Sequence, residues 1–310
     1  MDLASKRVLI TGIDSFTGTH LSSYLVELGY EVYGTTLSIG NDGFSLGCKH
    51  SDSKMSNIYR CDITNRDDIL YVLEKVKPNF IIHLSAIASP AHGDSSEFYK
   101  VNTVGAINLL DTLVELEMTP QKIILVSSAT VYGNQGIEIL DESLCPQPAN
   151  HYGVSKYAME SLAKNYFNRL NIIITRPFNY TGVSQSENFL IPKIVNHFRE
   201  EKKVIELGNL DVSREFNDID FVCKVYCRLL ESTIESEVVN ICSGRGVKLL
   251  DIIDVMNEIS GYKIEVKVNP LFIRKDEIKS LTGSPTKLFN LIGTVEQKEL
   301  KNTLKGMFEA

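Results

Sequence analysis

The chain has 310 residues, 43% hydrophobic and 23% charged, which is enough apolar material for one large domain or two closely joined ones. A formal net charge of -7 and a pI near 5.5, with no Lys/Arg-rich run, argue against a nucleic-acid or anionic-membrane partner, so any bound anion must be held locally. Cys48, Cys61, Cys145, Cys223, Cys227 and Cys242 lack paired metal-ligand spacing and read as reduced thiols with no metal. No apolar run approaches the roughly 20 residues that span a membrane and no leader pattern opens the chain, so a cytoplasmic protein is expected.

In chain order, "KRVLIT" at residues 6–11 is a β-branched apolar run that stops at Gly12, and "SFTGTHLSSYLVELG" then takes helical spacing and ends at Gly29. "YEVYGTT" and "NIYRCDI" predict two further strands, "RDDILYVLEKVKP" a helix closed by Pro78, and "NFIIHLSA" a fourth strand. A long helix follows from about Ser95 to Glu117, then the strand "KIILVSS". Strands alternating with helices at this interval imply a doubly wound parallel α/β (Rossmann) sheet. The rhythm breaks near Phe178. The expected division is a dinucleotide-binding domain over 1–178, to which about 211–242 returns, and a smaller mixed α/β lobe over 179–310. The polar segment 38–56 reads as a surface loop.

"TGIDSFTG" puts Gly12, Ser15 and Gly18 at the first strand-to-helix turn, where a dinucleotide's pyrophosphate needs a tight turn, close backbone approach and a helix N-terminus. Ser15 interrupts the glycine spacing, and serine fits there only if its φ is negative. Asp62 after the third strand, and Ser85 and Ala86 after the fourth, stand at strand ends where such a ligand lies, although Asp62 could also be a helix cap. The second strand ends in Thr35, Thr36 and Ser38 where an acidic residue would bond the adenosine ribose. Hydroxyls can donate to a 2'-phosphate that a carboxylate would repel, so the sequence favours NADP(H), with NAD(H) possible. Lys49 and Lys54 are the only basic residues that could reach over.

In "HYGVSKYAMES", Tyr152 and Lys156 stand four residues apart at the start of an amphipathic helix, so phenol and ammonium share one face. The ordered set "TGIDSFTG", "CDIT", "SSATVYG", "YGVSK", "RPFN" and "REFNDID" resembles the extended short-chain dehydrogenases/reductases, a family of sugar-nucleotide epimerases, dehydratases and reductases, over nearly the whole chain. The resemblance implies an oxidoreductase in which Tyr152 is the proton donor, its pKa lowered by Lys156 and the oxidised nicotinamide; Ser128 bonds the reacting oxygen; and Lys156 also holds the nicotinamide ribose. It adds Phe16, Ile63, Leu84 and Asn102 to the cofactor contacts, and Thr130, Asn179, Lys193, Arg214, Arg274 and Glu277 to those of a nucleotide-sugar substrate. The two arginines would clamp the diphosphate.

The branch is argued by subtraction. The 4,6-dehydratases resembled here carry an Asp-Glu pair after the catalytic Ser/Thr, and the GDP-fucose synthases a cysteine there and a histidine three residues before "IP". This chain has Ala129, Thr130 and Phe189. What remains is chemistry at C4. "IRKDEIKSLTGSPTKL" and its neighbours are most similar to the GDP-4-keto-6-deoxy-D-mannose reductases that make GDP-D-rhamnose. A dTDP-4-keto-6-deoxyglucose reductase or a sugar-nucleotide 4-epimerase are the alternatives. An NADP-binding module without turnover would lack Tyr152 or Lys156. The family also implies a homodimer packed through the helix at 95–117 and the Tyr152 helix.

Overall fold

The computed structural model describes residues 6–38, 57–88, 94–273 and 278–310. The first stretch of chain alternates strand and helix: β1 Arg7–Thr11, α1 Phe16–Glu27, β2 Glu31–Thr36, β3 Ile58–Arg60, α2 Arg66–Val76, β4 Phe80–His83, α3 Ser95–Phe98, α4 Ala106–Glu115 and β5 Lys122–Val126. There follow β6 Ile139–Leu140, α5 His151–Ala163, β7 Ile172–Pro177, β8 Tyr180–Thr181, α6 Leu190–Arg199, β9 Val204–Leu207, β10 Ser213–Arg214 and β11 Asn217–Asp218. The remainder is α7 Ile219–Glu231, β12 Glu237–Ile241, β13 Val247–Lys248, α8 Leu249–Ser260, β14 Glu265–Val268, β15 Ser280–Gly283, α9 Thr286–Ile292 and α10 Leu300–Glu309.

Seven strands form one parallel sheet in the order β12-β7-β5-β4-β1-β2-β3. Its central strands are apolar on both faces because helices cover both. Side chains alternate across it: Val8 and Ile10 enter a cluster with Leu21, Leu25, Val222 and Tyr226 of α1 and α7, whereas Leu9 enters one with Leu73, Leu113 and Met159 of α2, α4 and α5. The strand order changes direction between β1 and β4. The carboxyl edge at such a switch point is where doubly wound sheets bind ligands.

A third cluster, with Ile194, Phe198, Ile252, Met256 and Leu304, joins α6, α8 and α10. Both α7 and β12 return to the large sheet, as do Leu288 of α9 and Val295, a second return that the sequence pattern did not indicate. The helix expected from Ser95 to Glu117 runs instead as α3, a π-helical stretch Tyr99–Gly105 and α4, ending at Glu115. The wide turn lets Asn102 point inward to Ile87 and Ser155.

Glu215 ties the two regions together. It is fully buried, and its carboxylate accepts from Ser243 N at 2.6 Å, Ser243 Oγ at 2.9 Å, Asn217 Nδ2 at 3.2 Å and Gly283 N at 2.6 Å. Those donors follow β12, lie on β11 and end β15. Glu215→Ala would leave buried N–H groups unpaired, each costing about 1–3 kcal/mol. We therefore expect that variant to lose at least about 3 kcal/mol in urea unfolding, with Glu215→Gln losing less.

Candidate active site

The first turn is built for an anion. Gly12 has φ +68°, and a Cβ there would sit 3.1 Å from the backbone of Ser85; a Cβ on Gly18 would lie 2.6 Å from the carbonyl oxygens of Gly12 and Ile13. Ser15 adopts φ -69° and caps α1 by accepting from Gly18 N at 3.1 Å, so serine serves at that turn without strain. Thr11 Oγ1 contacts His83 Nδ1 at 2.8 Å and accepts from Ser85 N at 3.2 Å, which holds the ends of β1 and β4 together. The backbone and hydroxyl of Ser85 face Gly12 across the turn. This glycine cradle, with the N-terminus of a twelve-residue helix behind it, fits a dinucleotide pyrophosphate.

Other expected cofactor residues play different parts. Asn102 is fully buried, and its amide is spent on Ile87 N (2.8 Å), Ile87 O (3.1 Å) and Ser155 Oγ (3.0 Å). It shapes the loop after β4, with both amide N–H donors already engaged. Ile63 turns its side chain into the core beneath Gly105, which leaves only its backbone to face the crevice. Asp62 is not the cap of α2, which is Asn65; one carboxylate oxygen accepts from Thr64 N and Oγ1. Leu84 packs against the first cluster. Phe16 stacks on Tyr180 at 6.2 Å between ring centroids.

The Thr36 hydroxyl donates to Asp14 Oδ2 at 2.6 Å. A carboxylate therefore stands at the end of β2 after all, supplied by the turn. Lys49 and Lys54 lie outside the described residues.

The structure brings Ser128, Thr130, Tyr152 and Lys156 together. Ser128 ends the segment after β5, and its Oγ accepts from Thr130 N at 3.2 Å and Thr130 Oγ1 at 2.9 Å. Its own proton is thereby directed outward, toward the Tyr152 phenol with which its side chain hydrogen-bonds. Tyr152 and Lys156 occupy the first turns of α5, capped by Asn150 through Gly153 N at 2.9 Å.

Burial pushes the Tyr152 phenol up to about 12; the Ser128 bond opposes this and the neighbouring Tyr180 adds to it. Lys156 Nζ donates to Val126 O at 2.8 Å. Burial brings Lys156 itself down to about 8, against an upward pull from Glu160. Burial and Lys156 together hold His83 at about 3, a neutral ring.

Beneath these groups lies a network that the motifs did not reveal. Glu160, fully buried and one turn beyond Lys156, accepts from Ser127 Oγ at 2.6 Å, Arg176 Nε at 2.9 Å and Arg176 Nη2 at 2.6 Å. The Arg176 guanidinium also lies 4.8 Å over the Tyr132 ring, whose hydroxyl donates to Asn240 at 2.7 Å. Glu160 stands at one turn's spacing after Lys156, and that spacing was the available signal. Tyr180, whose hydroxyl is 2.7 Å from Thr17 Oγ1, completes the wall next to Tyr152.

The expected substrate residues are more dispersed. Asn179 is exposed after β7, and its carbonyl accepts from Asn217 N at 2.9 Å. Arg214 Nη1 donates to Ser213 O at 2.9 Å. Lys193 donates to Glu206 O at 3.0 Å and lies 4.6 Å over the Phe272 ring. Arg274 and Glu277 lie outside the described residues. Among the described residues no group of three or more His, Cys, Asp or Glu side chains could hold a metal, and no helix is long and apolar enough to cross a membrane.

Comparison with known proteins places this geometry. The family model described as GDP-mannose 4,6 dehydratase matches residues 9–307. A GDP-6-deoxy-D-talose 4-dehydrogenase from Aggregatibacter actinomycetemcomitans is 38% identical over 93% of this chain and 91% of its own length. A GDP-6-deoxy-D-mannose reductase from Pseudomonas aeruginosa is 27% identical over 98% of this chain and 96% of its own. The solved structure of RMD from Pseudomonas aeruginosa complexed with NADPH superposes with a TM-score of 0.84 at 25% identity, covering 98% of each chain.

The depressed Lys156 gives a pH signature. Its pKa is about 8 when folded and near 10.4 when unfolded, so between those values the unfolded chain binds more protons and stability rises with pH. Relative to Lys156→Met, the wild-type protein should gain about 2–3 kcal/mol in urea unfolding between pH 7.5 and pH 10.5, at about 1.4 kcal/mol per pKa unit. A difference that stays constant with pH would contradict the buried-ammonium geometry.

Proposed function

Because this chain belongs to the GDP-mannose 4,6-dehydratase family of extended short-chain dehydrogenases/reductases, we propose that it interconverts a ketone and an alcohol at C4 of a GDP-linked 6-deoxyhexose. It is an oxidoreductase using a nicotinamide cofactor. Oxidising C4 of 6-deoxy-D-talose or of 6-deoxy-D-mannose yields the same ketone, because the two sugars differ only at that carbon. The shared substrate is thus GDP-4-keto-6-deoxy-D-mannose. The 38% identical talose relative favours GDP-6-deoxy-D-talose as its partner alcohol over the GDP-D-rhamnose that the sequence motifs suggested.

The convergence of Ser128 and Tyr152 carries the reading. When bound, the nicotinamide supplies or accepts the hydride. Tyr152 Oη delivers a proton to the C4 oxygen, and Ser128, oriented by Thr130, donates a hydrogen bond to the same oxygen as charge develops on it. A phenol held protonated at neutral pH is the form that can deliver this proton. Lys156, Gly12, Ser15 and Gly18 are assigned to the cofactor; Thr130, Asn179 and Arg214 to the sugar nucleotide. Ala129 is buried beside Ser128 in place of an acid, which supports redox chemistry at C4 over elimination of water.

Incubation with GDP-4-keto-6-deoxy-D-mannose and reduced cofactor should consume the reduced-nicotinamide absorbance and give GDP-6-deoxy-D-talose by NMR. Tyr152→Phe should lower kcat at least about 100-fold while cofactor affinity is retained. A near-normal rate in that variant would remove the proton-donor assignment.

A homodimer through α4 and α5 is part of the proposal. Val104 beside α4, and Val154 and Leu162 of α5, are 49%, 37% and 44% exposed apolar side chains on adjoining helical segments. Leu162→Glu should shift the mass measured by light scattering from dimer to monomer; a wild-type protein that is already monomeric would refute this contact.

A further inference from the structure

We infer that Asp14, a residue outside the strand that usually supplies it, is the group that reads the adenosine ribose and sets this enzyme's preference for NAD(H) over NADP(H). The inference rests on the nicotinamide-dependent reading above. In doubly wound folds, an acid at the end of the second strand accepts from the ribose 2'-hydroxyl, and that end in this chain carries Thr35, Thr36, Leu37 and Ser38.

The first turn fills the gap. Ile13 N donates to Thr35 O at 3.0 Å, lacing the turn to the end of β2, and the next residue, Asp14, receives the Thr36 hydroxyl on Oδ2 at 2.6 Å. Thr36 is 3% exposed and rigidly placed in the sheet, so its hydroxyl fixes the carboxylate, while the Asp14 side chain remains exposed at the crevice rim. A carboxylate is an acceptor only. It can take the hydrogen of a 2'-hydroxyl, but it offers a 2'-phosphate no donor and repels its charge. Thr36, the described neighbour that fixes it, already spends its proton on that bond.

A cation could reverse this selectivity. Arg60 is the register partner of Thr36 on β3 and is exposed, but no ion pair joins it to Asp14. Among the described residues the Asp14 carboxylate is engaged by the Thr36 hydroxyl and by no cation. An exposed residue in a turn can also be replaced without loss of the core, so its role can be tested directly.

The test is calorimetric titration of the full chain, without sugar, with NADH and NADPH, and with AMP and adenosine 2',5'-bisphosphate as probes of the adenosine end alone. The wild-type protein should bind NADH at least tenfold more tightly than NADPH, and AMP more tightly than the bisphosphate. Asp14→Ala should cut that ratio at least tenfold, mainly by strengthening NADPH, with an unchanged thermal midpoint. Thr36→Val, which frees the carboxylate, should weaken NADH while leaving NADPH poor. A wild-type protein that takes NADPH as well as NADH, or an Asp14→Ala ratio equal to the wild-type one, overturns the inference. If the preference holds but no GDP-sugar is turned over, only the substrate reading fails. If neither dinucleotide binds, both readings fail.

Discussion

The Glu160–Arg176 ion pair is the constraint on which the site's geometry rests. It joins three elements that carry functional groups: α5 with Tyr152 and Lys156, the end of β5 through Ser127 beside Ser128, and β7, which leads into Asn179 and Tyr180. Burying two charges costs several kcal/mol per ion before their attraction is counted, so such a pair is weak evidence for stability as such. Here its worth is positional. Both Glu160 oxygens are engaged, the guanidinium is additionally held over Tyr132, and neither side chain can shift without leaving a charge unpaired in the core. Seen from the site, the pair keeps the Ser128 hydroxyl and the Tyr152 phenol at a fixed separation without contacting either.

The same burial sets the protonation states. Taken out of water, Tyr152 moves up and Lys156 down, so each is pushed toward its neutral form. Glu160 alone among the named neighbours opposes this for Lys156, and Ser128 alone opposes it for Tyr152. Lys156 meanwhile bonds Val126 O, and His83, close enough to feel its charge, stays neutral. Burial thus gives a protonated donor and a lysine of reduced basicity, both placed to respond to a charged cofactor. A loose, solvated Tyr-Lys pair would not have that response, since water would screen one from the other.

Much of this was legible in the sequence, and the reason is local. Parallel strands covered on both faces read as continuous apolar runs, and the turn glycines announce backbone that no side chain tolerates. Every strand of "KRVLIT", "NFIIHLSA" and "KIILVSS" type therefore fell where expected, as did the capped helix carrying Tyr152 and Lys156. What could not be read were features made by distant segments. Glu215 gathers donors from Asn217, Ser243 and Gly283, and α9 returns to the first core through Leu288; neither leaves a periodic trace. The substrate contacts were read by resemblance alone, and Lys193 and Arg214 bond to backbone carbonyls.

Asp14 shows why position in a motif is a poor guide to charge at a site. Judged by the strand that normally supplies the acid, the sequence favours a phosphorylated ribose; the inference drawn above from which atoms meet runs the other way. The turn and the second strand are 22 residues apart, but the Thr36 hydroxyl bridges them at 2.6 Å. A site recognises charge by distance, and the fold is free to draw that charge from any element that ends at the same edge. On the inference drawn above, the glycine cradle takes the pyrophosphate that NAD(H) and NADP(H) share, and discrimination falls to the one carboxylate that the Thr36 hydroxyl fixes at the end of β2.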